Sequence, residues 1–139
     1  MAVIRTGIMG ILNVTPDSFY DGGRFADIDR AFEHAMQMVS EGADIIDVGG
    51  ESTRPGSKFV SAGEEIDRVC PVIEKITRES AIPVSIDTTK SAVASEAVRC
   101  GARIINDISG LTFDPGIIRV AAENCTGLVV SHIRGVPEN

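Results

Sequence analysis

The sequence predicts an α/β domain of the (β/α)8 TIM-barrel type, of which these 139 residues supply about the first five strand–helix units. Three observations lead there. Short apolar strands alternate with amphipathic helical stretches from end to end, which implies a parallel sheet covered by helices. Five successive strands end at or near a polar residue: Asn13, Asp47, Asp87, Asn106 and His132. Two strands also follow the same kind of helix ending, "GADIIDVGG" from Gly42 and "GARIINDISG" from Gly101, a weak internal echo two units apart. Length alone favours a five-stranded open doubly wound sheet, because a complete barrel takes ~250 residues. The polar strand ends reverse that preference. An open sheet needs functional groups chiefly at its switch point, whereas a barrel gathers every strand end around one mouth.

The elements follow in order. A first strand is predicted over Ile8–Asn13. The stretch "DIDRAFEHAMQMVSEG" then spaces Ile28, Ala31, Phe32, Ala35, Met36 and Val39 as one helical stripe, with Asp27 as N-cap and Gly42 just past the end. "ADIIDVGG" is the second strand. In "SAGEEIDRVCPVIEKITRES", Ser61 and Glu64 form a capping-box pattern, and Ile66, Val69, Cys70, Ile73 and Ile76 make the stripe. Pro71 falls inside it, so a kink or a late helix start is expected there. "PVSIDT", "ARIIND" and "GLVVSHIRG" are strands three to five, separated by helices in "KSAVASEAVRCG" and "DPGIIRVAAENC". In a barrel, Ile46, Ile86 and Ile105 are expected in the inward layers. No linker or low-complexity stretch divides the chain, so residues 1–139 read as part of one domain.

Composition narrows the function. Hydrophobic residues at 43% and charged residues at 24% are ordinary for a globular chain. The net charge of −7 offers no basic footprint for nucleic acid. No apolar run approaches the ~20 residues of a membrane span, and no targeting leader is read at the start. Cys70, Cys100 and Cys125 form no disulfide framework, which suits a reducing cytoplasm.

An anionic small molecule needs local cations, and the second loop supplies them. "GGESTRPGSKFVSAGEE" carries Ser52, Thr53, Arg54, Ser57 and Lys58 behind two glycines. Arg54 can hold a phosphate or carboxylate bidentately, and Lys58 adds a point charge. Asp87 and Asn106 suit a ligand edge of mixed donors and acceptors. Flavins, purines and pterins all offer such an edge.

Four stretches together, "GILNVTPDSFYDGG", "GADIIDVGGESTRPG", "PVSIDTTK" and "GARIINDISG", resemble dihydropteroate synthase, in that family's order and over nearly the whole chain. The resemblance implies the N-terminal portion of a pterin-binding barrel. It also implies a transferase of folate biosynthesis that condenses p-aminobenzoate with 6-hydroxymethyl-7,8-dihydropterin pyrophosphate, using Mg²⁺ and releasing pyrophosphate. Carried onto matching positions, it makes Asn13 the Mg²⁺ ligand beside the pyrophosphate and Thr53 a substrate-binding residue. Arg54 and Asp17 become catalytic candidates, Asp17 and Ser18 lying in the first loop; Asp87 and Asn106 contact the pterin. Ser131 stands where the family more often has Met. The family's later strands, with a further Asp, Lys, Arg and His, have no counterpart in these residues, so the chain alone is expected to be incomplete for catalysis. A homo-oligomer, or association with the rest of the barrel, is expected, and the location is cytoplasmic. A non-catalytic pterin-binding relative and a folate-dependent methyltransferase domain with a corrinoid partner are the alternatives.

Overall fold

The computed structural model describes residues 4–16 and 23–132. Strands β1 (Met9–Asn13), β2 (Ile45–Gly49), β3 (Val84–Asp87), β4 (Ile104–Asp107) and β5 (Gly127–Val130) alternate with four helices. These are α1 (Gly23–Ser40), α2 (Ala62–Glu79), α3 (Ser91–Arg99) and α4 (Gly116–Asn124). All pairings are parallel, and the order in the sheet is β1-β2-β3-β4-β5. A doubly wound sheet reverses its order at a switch point; the described strands never do, and the sheet winds as the first part of a barrel winds.

The pleat divides the sheet into two unlike faces. Leu12, Ile46, Val48, Val84, Ile86 and Ile105 are buried and share the face on which the helices pack. α1 contacts α2, α2 contacts α3 and α3 contacts α4, so the helices form a continuous layer. Ile46, Ile86 and Ile105 therefore do not occupy the inward layers expected of them. Strand alternation turns them outward against the helices, where they need nothing from further strands. The other face holds Ile11, Asn13, Asp47, Ser85, Asp87, Ile104, Asn106 and Val129 by register.

Local chemistry explains most helix boundaries. Ser61 is the N-cap of α2, its Oγ accepting from the Glu64 N–H at 3.2 Å. α2 runs unbroken through Pro71 from Ala62, so no late start occurs. α1 begins at Gly23, which leaves Asp27 inside the helix rather than at its N-cap. Gly42 and Gly101 have φ of 112° and 116°, each followed by an alanine N–H that bonds five residues back, to Met38 and Ala97. This is the Schellman ending, and it accounts for the echo in the sequence. Asp114 joins two helices: one carboxylate oxygen accepts from Ser91 N–H at 2.7 Å and the other from Gly116 N–H at 3.0 Å.

Candidate functional site

The parallel register lines up the ends of four strands. Asn13 pairs with Gly49, Gly49 with Asp87, and Asp87 with Asn106. These four residues form one row across the non-helical face, at the C-terminal ends of the strands. A Cβ at Gly49 would make ordinary contact with the site, 3.5 Å from Asp87 Oδ2 and 3.9 Å from Asn13 Oδ1. Gly50 is more tightly placed, since a Cβ at that position would meet Val69 and the Glu65 carbonyl of α2. Gly50 thus lets the end of β2 pass close against α2.

One row below, Asp47 pairs in register with Ser85. Asn106 Nδ2 donates to Asp47 Oδ2 at 3.1 Å, while Asp47 Oδ1 and Ser85 Oγ are buried without hydrogen-bond partners among the described residues. Buried polar atoms are costly unless paired, so this face is shaped for a polar occupant. Burial raises the pKa of Asp47 even against the neighbouring Ser85 hydroxyl and the bond from Asn106, both of which favour the charged form. Asp87 is pushed up to about 7, first by burial and then by the charges of Asp47, Glu65, Asp107 and Glu51. In the unliganded protein it therefore titrates near neutrality.

The adjacent residue shows how sharply the pleat discriminates. Asp107 points the other way and is fully buried. Its Oδ1 accepts from the Ser109 N–H and hydroxyl, and its Oδ2 from Leu111 N–H. It builds the β4–α4 turn, whereas Asn106 faces the row.

Beside Asn13 lies a polar cavity of about 790 Å³, lined among others by Thr15, Thr53, Arg54, Lys58 and Arg68. Arg54 and Lys58 come from the β2–α2 loop, and Arg68 reaches in from α2 while donating to the Gly50 carbonyl at 2.8 Å. Three cations in one cavity make a site for an anion such as a phosphate group. Thr53 and Arg54 thus share the cavity with Asn13, next to the row that holds Asp87 and Asn106. Asp17 and Ser18 lie outside the described residues. His132 follows β5 and is exposed.

Arg68, Glu51, Glu65 and Lys90 were missed by the sequence reading. Lys90 Nζ contacts Glu51 Oε2 at 2.5 Å and Glu65 Oε2 at 2.7 Å. The signal was present in α2, whose buried positions are Glu65, Val69, Val72, Ile73 and Ile76. A glutamate at core spacing demands a cation nearby.

Comparison with known proteins gives a consistent result. Residues 9–139 match the family described as pterin binding enzyme. The chain is 56% identical to the dihydropteroate synthase of Bacillus subtilis over 94% of its own length and 46% of the relative's. It is 52% identical to that of Synechocystis sp. over 96% of its own length and 46% of the relative's. Among solved structures, a dihydropteroate synthase from Clostridium difficile, in the presence of pteroic acid, superposes with a TM-score of 0.89 at 52% identity. That match covers 94% of this chain and 49% of the other. A Xanthomonas albilineans dihydropteroate synthase with 4-aminobenzoic acid gives 0.87 at 45% identity, covering 94% and 48%. The chain spans about half the length of the relatives it matches.

Proposed function

The chain belongs to the pterin-binding enzyme family, and from that premise we propose that it is the N-terminal portion of a dihydropteroate synthase. The reaction is the transfer of the pterin methylene from pyrophosphate to the amine of p-aminobenzoate, in folate biosynthesis. The observation that carries this reading is the row Asn13–Gly49–Asp87–Asn106 lying beside a cavity with three cations. A pterin pyrophosphate has one polar ring edge and one anionic arm, and the two halves of this site match them.

The roles follow from the chemistry. As a carboxylate, Asp87 accepts parallel N–H bonds from the ring, and Asn106 both donates and accepts. Arg54, Lys58 and Arg68 stabilise the negative charge that grows on the departing pyrophosphate. Thr53 orients the anionic arm, and the part of Asp17 rests on the family resemblance. Asn13 offers one neutral oxygen at the cavity. A single neutral oxygen suits Mg²⁺, which keeps several waters and draws other oxygens from a phosphate ligand. When bound, Mg²⁺ supplies positive charge against the phosphoryl oxygens.

β1 and β5 are the edges of the sheet, and Ile11 and Val129 on its inner face are 61% and 42% exposed. Pairing of these edges with the remaining strands of a barrel, or with a second copy, completes the site. Among the described residues no helix is long and apolar enough to cross a membrane, and the reading puts the enzyme in the cytoplasm. The test is pyrophosphate release by the full-length protein with Mg²⁺. Release that requires both p-aminobenzoate and the pterin pyrophosphate is the expected outcome; release that ignores p-aminobenzoate refutes the reading.

A further inference from the structure

The β2–α2 loop carries Thr53, Arg54 and Lys58 well away from the packed core, so something must hold it. Its attachments converge on one ammonium group. Lys90 Nζ binds Glu51 Oε2 at 2.5 Å and Glu65 Oε2 at 2.7 Å. The other Glu51 oxygen, Oε1, accepts from the Val60 N–H at 3.1 Å. One carboxylate thereby ties the first residue of the loop to its last turn. The Phe59 ring lies 5.1 Å from Nζ, and Ser57 Oγ donates to the Ser52 carbonyl at 2.6 Å inside the closed segment. Lys90 itself stands at the N-cap of α3, directly behind β3 and three positions past Asp87. Its side chain is 17% exposed and Glu65 is 1% exposed, so these charges are held in a protected place rather than on a solvated face.

We propose that Lys90 is a positioning residue for the anion-binding loop. It fixes Glu51 as the clamp across residues 51–60, and so presents Arg54 and Lys58 at the cavity that Asn13 lines. It does not line that cavity. Its effect reaches the ligand through Glu51 and the loop. The α2 helix is tied in through Glu65, which lets one cation set the loop against two rigid elements at once. The clamp makes no hydrogen bond to Asp87 or Asn106, and the Glu51 and Glu65 charges reach Asp87 only through space, so its contacts act on the anionic arm of a ligand more than on its ring. The inference rests on the proposed dihydropteroate synthase reading only for the identity of that ligand.

The experiment uses the full-length protein and the variants Lys90→Met, Lys90→Arg and Glu51→Gln. Hydrogen exchange reads the Val60 amide, and trypsin reads the Lys58–Phe59 bond. Calorimetry with Mg²⁺ measures inorganic pyrophosphate and, separately, 6-hydroxymethyl-7,8-dihydropterin, which has the ring without the anionic arm. In Lys90→Met at pH 8, where Asp87 is charged, Val60 exchange and cleavage at Lys58 accelerate, pyrophosphate affinity falls about tenfold, and the affinity for the pterin alcohol changes far less. Lys90→Arg, which can bridge the same two carboxylates, restores both readouts. Glu51→Gln keeps the Lys90–Glu65 pair and moves them in the same direction by less, which preserves the test should Lys90→Met fail to fold. Unchanged Val60 exchange, or a parallel loss of both ligands, overturns the proposal. If the parent protein binds neither ligand, the functional reading fails instead, and Val60 exchange alone still decides whether the clamp exists.

Discussion

The two faces of the sheet are built from the same strands and obey different rules. On the helical face, Leu12, Ile46, Val48, Val84, Ile86 and Ile105 interlock with α1–α4 and are excluded from water. On the opposite face, the same strands present Asn13, Asp47, Ser85, Asp87 and Asn106, with buried polar atoms left unpaired. Neighbours along one strand therefore answer to different demands, Ser85 beside Ile86 and Asn106 beside Asp107. One face makes the fold stable. The other accepts the cost of buried polarity because a ligand can use it.

The largest expected effect tests that division at one peptide bond. Ile86→Ala should destabilise the full-length protein by about 2–5 kcal/mol in denaturant unfolding, since it opens a cavity in a sealed layer. Ser85→Ala, one residue away, should change stability by far less, because the hydroxyl it removes meets only the neighbouring Asp47 carboxylate and makes no other hydrogen bond among the described residues. Equal losses in the two variants would break the comparison.

Binding should show the reverse preference. Asn106→Ala is expected to weaken pterin affinity by roughly 1–3 kcal/mol, a ligand's buried polar edge having lost its partner. Calorimetry that finds the affinity unchanged removes Asn106 from the ligand site.

The carboxylates offer a sharper contrast, because Asp114 at the helix starts and Asp87 in the row are shifted in opposite directions. Asp114 accepts backbone N–H groups at the starts of α3 and α4, first from Ser91, and these hold its pKa below the usual carboxylate value of 3.8. Its contribution to stability is present above that value and is lost as pH falls through the depressed one. Asp114→Ala should cost about 1–2 kcal/mol at neutral pH, by loss of two helix caps, and much less in strong acid.

Asp87 behaves the other way. Its pKa rises from 3.8 to about 7, so its favourable contribution is complete below pH 4 and is lost as pH climbs toward 7 and beyond. Asp87→Asn should therefore raise stability at pH 8 by about 1 kcal/mol, with little gain at pH 4, while weakening pterin binding. Since the ligand takes the charged form, pterin affinity of the parent protein should fall as pH drops below 7. A thermal-melt series that shows no pH-dependent gain for Asp87→Asn would contradict the raised value.

Much of this protein could be read from its sequence. Helical stripes, glycines past helix ends and the Ser61 cap are local signals, governed by backbone geometry within a few residues, and they located nearly every element. The polar strand ends gave the candidate residues for a similar reason. Parallel strands place their C-terminal ends together, so Asn13, Asp87 and Asn106 had to lie near one another once the winding was right. Tertiary structure decided the rest. Which side of a strand faces the helices depends on register against its neighbours, and an apolar run such as "IIDV" conceals it; hence the reversed orientation of Ile46, Ile86 and Ile105. The start of α1 at Gly23 and the continuity of α2 through Pro71 depend on packing that overrides local preference. The meeting of Lys90 with Glu51 and Glu65 spans 39 and 25 residues of sequence. Only the folded sheet and α2 bring such distant charges together, because the low-dielectric setting that makes their pairing necessary is itself a product of the fold.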